Sequence, residues 1–472
     1  LIASSRTRRI RISEPGDEPS AKTAGAAAVQ SAHSAEWVLA AMVVAGALAV
    51  GFLLSKDGYL GNPFFFRKDQ TLMDWFSTAY WAHQPVGAYR DWRSVYPPIS
   101  FLFLDVFSQA HCYARSVEYA RSCDAVGLVG PPFMAVIGFV CALLAFRAER
   151  LPGAFLRALA LGLSSSMLYG VERGNLIVAT FPFFVLGFSR LLRTGWLRVV
   201  CAAIAINFKP YLLLAAVGWL SRRRWAWLMT LFAVGGGVYL VSWGAFGAGS
   251  PLELLRNMAA PLTVPGKAGL DLIEFSSSYD SLLIVLLSPG QFPFHPPAQL
   301  VTGFRLGVFL VLTVGWVGWW VCCLGAARRP SVVTSQRLAA ISFAVMFSIC
   351  TPGGYSVMFL IFLVFLEKWS GMGKIIALTS AYLWCIPYDF PLLNLGLHTS
   401  YSFLGDRMVS QTTSISLGEL LRPAFILAIE FGLIGSSLAQ LLSDWRAQAQ
   451  AAPTQPAPHS RRGLREETRA VA

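Results

Sequence analysis

Apolar runs of membrane-spanning length, parted by short basic clusters, limit this chain more than any other feature does. The first, Trp37–Leu54, carries no charge at all. In hydrocarbon the backbone must satisfy its own polar groups, so such runs fold as helices. Composition gives the same answer. Of all residues 13% are charged and 55% hydrophobic, whereas a soluble domain is about 25% charged. A water-soluble chain this apolar could not cover its surface with polar groups. The sequence therefore predicts an all-α, polytopic integral membrane protein.

The net charge of +13 could suggest a nucleic-acid partner, but its placement argues against one. The basic residues punctuate the apolar runs and form no single stripe. Further spans are expected at Gly127–Phe146, Leu151–Leu168, Leu176–Leu192, Leu197–Phe208, Tyr211–Leu220, Trp225–Phe246, Val301–Leu324, Leu338–Cys350, Tyr355–Leu366, Ile375–Ile386 and Leu420–Leu442. With the first run that makes about twelve, several of them short for a bilayer core of about 30 Å. The pair broken at Lys209-Pro210 suggests helices that end inside the protein, where irregular backbone lines a cavity.

A cytoplasmic N-terminus puts Arg147 and Arg150, Arg190, Arg193 and Arg198, Arg222–Arg224, Arg328-Arg329 with Arg337, Lys368 with Lys374, and Arg446 on one side. Excess Lys and Arg in short loops marks the cytoplasmic face. Both termini are then cytoplasmic, and the longer segments Ser55–Pro98, His111–Asp124, Gly247–Leu300 and Tyr388–Glu419 lie outside. Residues 1–36 and 444–472 read as disordered tails flanking a transmembrane domain over 37–443. The stretch Leu72–Trp81 reads as an amphipathic helix on the outer surface, and a short apolar helix follows Tyr96-Pro97-Pro98. Cys112 and Cys123 share one short outside segment, where they form a disulfide or remain two thiols. No Cys or His spacing resembles a zinc site, and P-loop, GxSxG and HExxH patterns are missing from the sequence.

Five polar groups on the outer face are candidates for chemistry. Asp74 sits among aromatics in Leu72–Phe76, where partial desolvation suits a general base; the alternative is an interfacial acid on the polar side of its helix. Glu172-Arg173-Gly174-Asn175 joins two spans, and ionisable groups there are functional or paired with each other. Lys209 either snorkels to the interface or binds an anion. Ser278-Tyr279-Asp280-Ser281 opens an apolar helix that Ser278 or Asp280 could cap. Thr351–Tyr355 is a Pro-Gly turn between two spans.

In this order the motifs resemble the GT-C superfamily of membrane glycosyltransferases, and most of all glycosyltransferase family 87, the polyprenyl-phosphate-mannose-dependent mannosyltransferases. That family has an Asp in its first outside loop ahead of an aromatic stretch and a YPP. Met73-Asp74-Trp75-Phe76 followed by Val95-Tyr96-Pro97-Pro98 matches it. Arg173-Gly174-Asn175 matches its Gly-Asn turn, Lys209-Pro210 its Lys between short helices, and Arg222-Arg223-Arg224-Trp225 its basic hairpin tail. Ser278–Leu282 corresponds loosely to its outer-loop helix, with Asp280 where the family has an amide. Thr351–Met358 lacks the family's His.

The resemblance, spanning roughly Trp37 to Leu366, implies an inverting transferase that uses no cofactor and no metal. Its donor would be a hexose such as mannose on a polyprenyl phosphate, its acceptor a lipid or glycan, and its face the periplasmic side of a bacterial inner membrane. Asp74 would be the catalytic base. Glu172, Arg173, Asn175, Lys209, Tyr96, Tyr279, Asp280 and Tyr355 would bind substrate, with Arg173 and Lys209 on the phosphate. Two other classes stay open on sequence. An O-antigen ligase or polymerase would use Arg256 and His295 of the large loop; a secondary transporter or flippase would use the break at Lys209-Pro210.

Overall fold

The computed structural model describes residues 19–64, 68–263, 277–279, 282–283, 296–350, 352–405 and 407–451. Among the described residues six helices are long and apolar enough to cross a membrane: Ser34–Asp57, Ala125–Ala148, Ala154–Arg173, Trp225–Phe246, Ala298–Arg328 and Leu417–Gln450. Shorter apolar helices, Ile177–Phe188, Gly195–Phe208, Pro210–Ser221, Ser335–Ile349 and Gly354–Phe365, pack among them. The long helices keep apolar side chains on the outside of the bundle. Leu306, Phe309, Leu310, Val314 and Val317 are all more than half exposed along Ala298–Arg328. A run of exposed apolar groups on that scale is a lipid-facing surface.

Helix α1, Pro19–Asp57, starts well ahead of Trp37, so part of the segment expected to be a disordered tail is helical. The last helix likewise runs on to Ala451, past the expected end of the membrane domain. Three short helices follow α1: α2, Met73–Ala82, α3, Pro85–Arg90, and α4, Pro98–Val106. Both elements expected around the Tyr-Pro-Pro are thus present. Proline opens α4 at its first turn, where its missing N–H costs nothing. Trp75, Phe76, Tyr89, Phe101, Tyr113 and Phe246 bury one another in an aromatic layer under these helices. Helix α5, Val117–Cys123, ends on Cys123, which is disulfide-bonded to Cys112 across a Cα–Cα distance of 5.6 Å. Asp124 then caps α6, Ala125–Ala148, accepting from the amides of Val126 and Gly127 at 3.0 Å, and takes the Tyr113 hydroxyl at 2.8 Å.

Two expectations need correction. The span read as Leu151–Leu168 runs over Ala154–Arg173 and is broken within itself into α7, Ala154–Gly162, and α8, Ser165–Arg173. Ser164 between them accepts from the Met167 amide and caps the second. The chain is also not purely helical. The segment after Tyr388 forms an antiparallel hairpin, β1, Pro391–Tyr401, with β2, Met408–Ser416, registered from Pro391 opposite Ser416 to Tyr401 opposite Met408. Its tip returns to the end of α1, where the Phe403 amide donates to the Gly58 carbonyl at 2.7 Å.

At the other end of the bundle a buried ionic network joins helices distant in sequence. Arg157 is fully buried and its Nε meets Glu36 Oε1 at 2.5 Å. Its Nη1 donates to the carbonyls of Phe365 and Glu367. Glu36 also accepts from the Tyr382 hydroxyl at 3.1 Å. Glu367 in turn receives both arms of Arg337, at 2.6 and 2.7 Å. Charges this deep are costly unless paired, and here the pairing is incomplete: among the described residues Glu36 Oε2 and Arg157 Nη2 have no hydrogen-bond partner.

Candidate functional site

The site forms where α2 meets the turn after α8. Leu72 takes the left-handed conformation, φ 60°, ahead of α2, and its amide donates to the Glu172 carbonyl at 2.7 Å. Gly174 also has positive φ, 63°. A Cβ there would lie 2.9 Å from Trp75 Cβ and 3.0 Å from Leu72 Cα, so only glycine lets the two segments approach. This close seam places Asp74, in the first turn of α2, opposite Arg173 and Asn175. A carboxylate in a first helical turn is also favoured by the helix dipole.

Arg173 Nη2 donates to Asp74 Oδ1 and Asn175 Nδ2 to Asp74 Oδ2, each at 2.7 Å. The Asn175 amide has its orientation set from behind, because its Oδ1 accepts from the Ile177 amide at 3.1 Å. Its Nδ2 must therefore face Asp74, and it reaches the Tyr96 hydroxyl at 3.3 Å as well. Each Asp74 oxygen holds one donor and retains a further acceptor site. The side chains of Asp74 and Arg173 keep 20% and 16% exposure, enough for a small hydroxyl to approach.

Tyr96 is fixed from several directions. Tyr89 donates to its carbonyl at 2.6 Å, and Trp92 stacks on its ring with centroids 6.2 Å apart. Burial first, and then the Asp74 charge, hold the Tyr96 hydroxyl well above the usual phenol range, so it stays protonated. Lys209 places Nζ over the same ring, 4.2 Å from its centroid. Among the described residues Lys209 has no ion-pair partner, and Asp74 acts on it electrostatically. Lys209 is extended, φ −139°, between Gly195–Phe208 and the turn from Pro210. The expected break is thus where the sequence put it.

The other predicted residues divide. Tyr355 lies within interaction range of Asp74 and Asn175 and packs on Tyr169 at 5.5 Å. Glu172 is held elsewhere: its Oε1 accepts from Thr71 at 2.9 Å, while Arg173 reaches Asp74 and acts on Glu172 through its charge. Tyr279 packs edge-on to Phe304, and its hydroxyl donates to the Leu420 carbonyl at 3.3 Å. Asp280 lies outside the described residues, as does Thr351. Arg173, expected on a phosphate, is engaged with the carboxylate. Asn257 has no signal in the sequence. From the helix Pro251–Thr263 its amide donates to the Tyr89 and Ser94 carbonyls, both at 3.0 Å, and clamps the loop that carries Tyr96.

An apolar groove begins beside this cluster. A cavity of about 260 Å³ is lined by Pro97, Asn207, Pro210, Phe232, Tyr239 and Leu254. It shares Pro210, Leu213 and Phe232 with a second cavity of about 500 Å³, which reaches Trp225. Pro97 and Pro210 directly follow Tyr96 and Lys209, so the groove runs beside the backbone that carries those two residues. No family model matches the chain, and no curated protein or solved structure matches it.

Proposed function

We propose that this chain is an inverting membrane glycosyltransferase of the GT-C kind, with about twelve spans, some made of the short helices. It moves a hexose such as mannose from a polyprenyl-phosphate donor to a lipid or glycan acceptor. In this reading the site faces the periplasm of a bacterial inner membrane and both termini are cytoplasmic. The observation that carries it is the Asp74 carboxylate held by Arg173 and Asn175, with Lys209 in electrostatic range and an apolar groove lined by the prolines that follow Tyr96 and Lys209.

The chemistry follows from that placement. The acceptor oxygen attacks the anomeric carbon while the bond from that carbon to the phosphate oxygen breaks. The hydroxyl proton goes to Asp74, and the phosphate leaves with the bonding electrons beside the Lys209 ammonium. Arg173 and Asn175 orient the carboxylate and leave acceptor capacity on it. Tyr96 stays neutral, and its hydroxyl can bond a sugar oxygen without adding charge. The prenyl tail lies along Pro210, Leu213 and Phe232. Use of one base on one face gives inversion.

The test is transfer from a radiolabelled polyprenyl-phosphate hexose in membranes containing the protein. Product is expected from the wild-type chain and is lost in Asp74→Asn. Absence of transfer with mannosyl, glucosyl and galactosyl donors alike, using endogenous membrane acceptors, would count against the reading.

A further inference from the structure

A second cluster lies at the opposite ends of the helices that carry the site. Arg198 lies in the first turn of the helix that ends before Lys209, and the eleven-residue step from one to the other covers about 16 Å along an α-helix. Arg222 and Arg224 precede Trp225–Phe246, whose far end packs on Tyr89 and Phe101. Arg190, Arg198, Arg222 and Arg224 line one small cavity. Basic residues in a loop need no ligand to explain them, since orientation alone selects for them. Four guanidiniums converging on one cavity are different, because each raises the cost of charge on the others.

Little in the surroundings offsets that charge. Among the described residues the one carboxylate in reach is Glu149, 3.6 Å from Arg190. The buried Nε atoms of Arg198 and Arg222 have no hydrogen-bond partner among the described residues. Burial, then the charges of Arg224 and Arg190, hold Arg222 below its usual basicity. A helix adds to the field. Ser335 and Gln336, in the first turn of Ser335–Ile349, line the same cavity. First-turn amides lack intrahelical partners, and the positive end of the helix dipole favours an anion. The Thr334 hydroxyl caps only the Arg337 amide. Gly218 allows this approach, since a Cβ on it would lie 2.2 Å from the Ser335 carbonyl oxygen.

Size narrows the ligand. The cavity measures about 60 Å³, and about 10–15 Å³ holds one water, so it admits a group of roughly four to six heavy atoms. A tetrahedral oxyanion has that size, and the guanidinium fork matches phosphate oxygens. The guanidiniums of Arg198 and Arg224 both lie over the Trp227 ring, 5.2 and 5.9 Å from its centroid. Exposed Trp196 and Trp225 flank the cluster, as at a membrane–water boundary.

We infer that the Arg190–Arg198–Arg222–Arg224 cavity is a phosphate-binding site, for a free phosphate or for the phosphate of a lipid headgroup, at the opposite end of the bundle from Asp74. The inference does not depend on the glycosyltransferase reading. The test uses two probes on the full chain. Inorganic phosphate is titrated into detergent-solubilised protein, with sulfate-free buffer and thermal unfolding as the readout. Nanodiscs of phosphatidylcholine with or without phosphatidic acid supply the lipid arm, with retained lipid counted by native mass spectrometry.

Binding of either probe is expected, weakened at least about tenfold by the double variant Arg198→Gln with Arg222→Gln, the size of losing a charge-assisted bond. Arg193→Gln, exposed and outside the cavity, should leave it unchanged. A response to phosphate assigns the soluble source, and retention of phosphatidic acid alone assigns the lipid. No preference for either probe over phosphatidylcholine would overturn the inference, as would equal weakening by Arg193→Gln. Should the double variant fail to fold, Arg222→Lys keeps the charge and removes the fork; unchanged binding by that folded variant would also refute it.

Discussion

Asp74→Asn is the substitution that most directly probes the site. In the native protein both carboxylate oxygens accept, from Arg173 and Asn175, at 2.7 Å each. An asparagine keeps one acceptor and turns the other into a donor. Its oxygen can stay on Arg173, but its NH₂ then faces the Asn175 NH₂. Relief by rotating Asn175 would break the bond from the Ile177 amide at 3.1 Å. The variant therefore loses one charge-assisted bond and takes the Asp74 charge away from Arg173 in a largely buried setting. That is worth about 1.5–3 kcal/mol of stability.

Loss of the base lowers the transfer rate at least about 100-fold, or about 2.7 kcal/mol of barrier. The two effects separate because the rate is measured per folded molecule, with the folded fraction taken from size-exclusion profiles in detergent. Asp74→Glu is the companion. It restores a carboxylate about one methylene out of place and should recover part of the activity. Near wild-type turnover by folded Asp74→Asn would refute the role of Asp74 and the mechanism built on it.

Four further outcomes are expected. Lys209→Gln should cut kcat/KM for the polyprenyl-phosphate donor about 10-fold to 100-fold, and an unchanged value in steady-state assays would free Lys209 from the phosphate. Gly174→Ala must hold φ 63° and put a Cβ 2.9 Å from Trp75 Cβ, so thermal unfolding should show a loss of about 1–3 kcal/mol. Opening the Cys112–Cys123 bridge by double serine substitution releases a loop of sequence separation 11 and should cost about 2–3 kcal/mol on the chain-entropy account; no change in unfolding would mean the bridge constrains nothing. Reporter fusions after Arg224 and after Arg329 should read cytoplasmic and one within Gly247–Leu300 periplasmic, and periplasmic signals from the first two would break the topology.

Hydropathy carried most of the fold because lipid as solvent leaves few alternatives to the helix. Trp225–Phe246 appears with the ends read from the sequence, and α2 and α4 sit where the aromatic stretch and the Tyr-Pro-Pro placed them. The hairpin was missed because Pro391–Tyr401 mixes Leu with Asn, Gly and His and shows no clean two-residue alternation. Leu151–Leu168 looked continuous because hydropathy is blind to a serine cap. At the site, sequence order found Asp74, Arg173, Asn175, Tyr96 and Lys209 but not who pairs with whom. Glu172 and Arg173 are neighbours in the chain, yet adjacent residues on a helix point about 100° apart and do not face each other. One reaches Thr71 and the other Asp74. Asn257 could not be found at all, since its partners Tyr89 and Ser94 are 168 and 163 residues away.

The Glu36–Arg157 pair sets a timetable for biosynthesis. Its members are 121 residues apart, and a ribosome adds roughly 5–20 residues each second, so Glu36 is made about 6–24 s before its partner. During that interval the first helix carries an acid with no cation to meet it. It must wait at the headgroup level, or under the cover of an insertion factor, until α7 emerges. A chain terminated before Arg157 would never leave that state and would present quality control with an unmatched intramembrane acid. Translation pauses or rare codons between the two positions would lengthen the exposure without changing one atom of the finished protein.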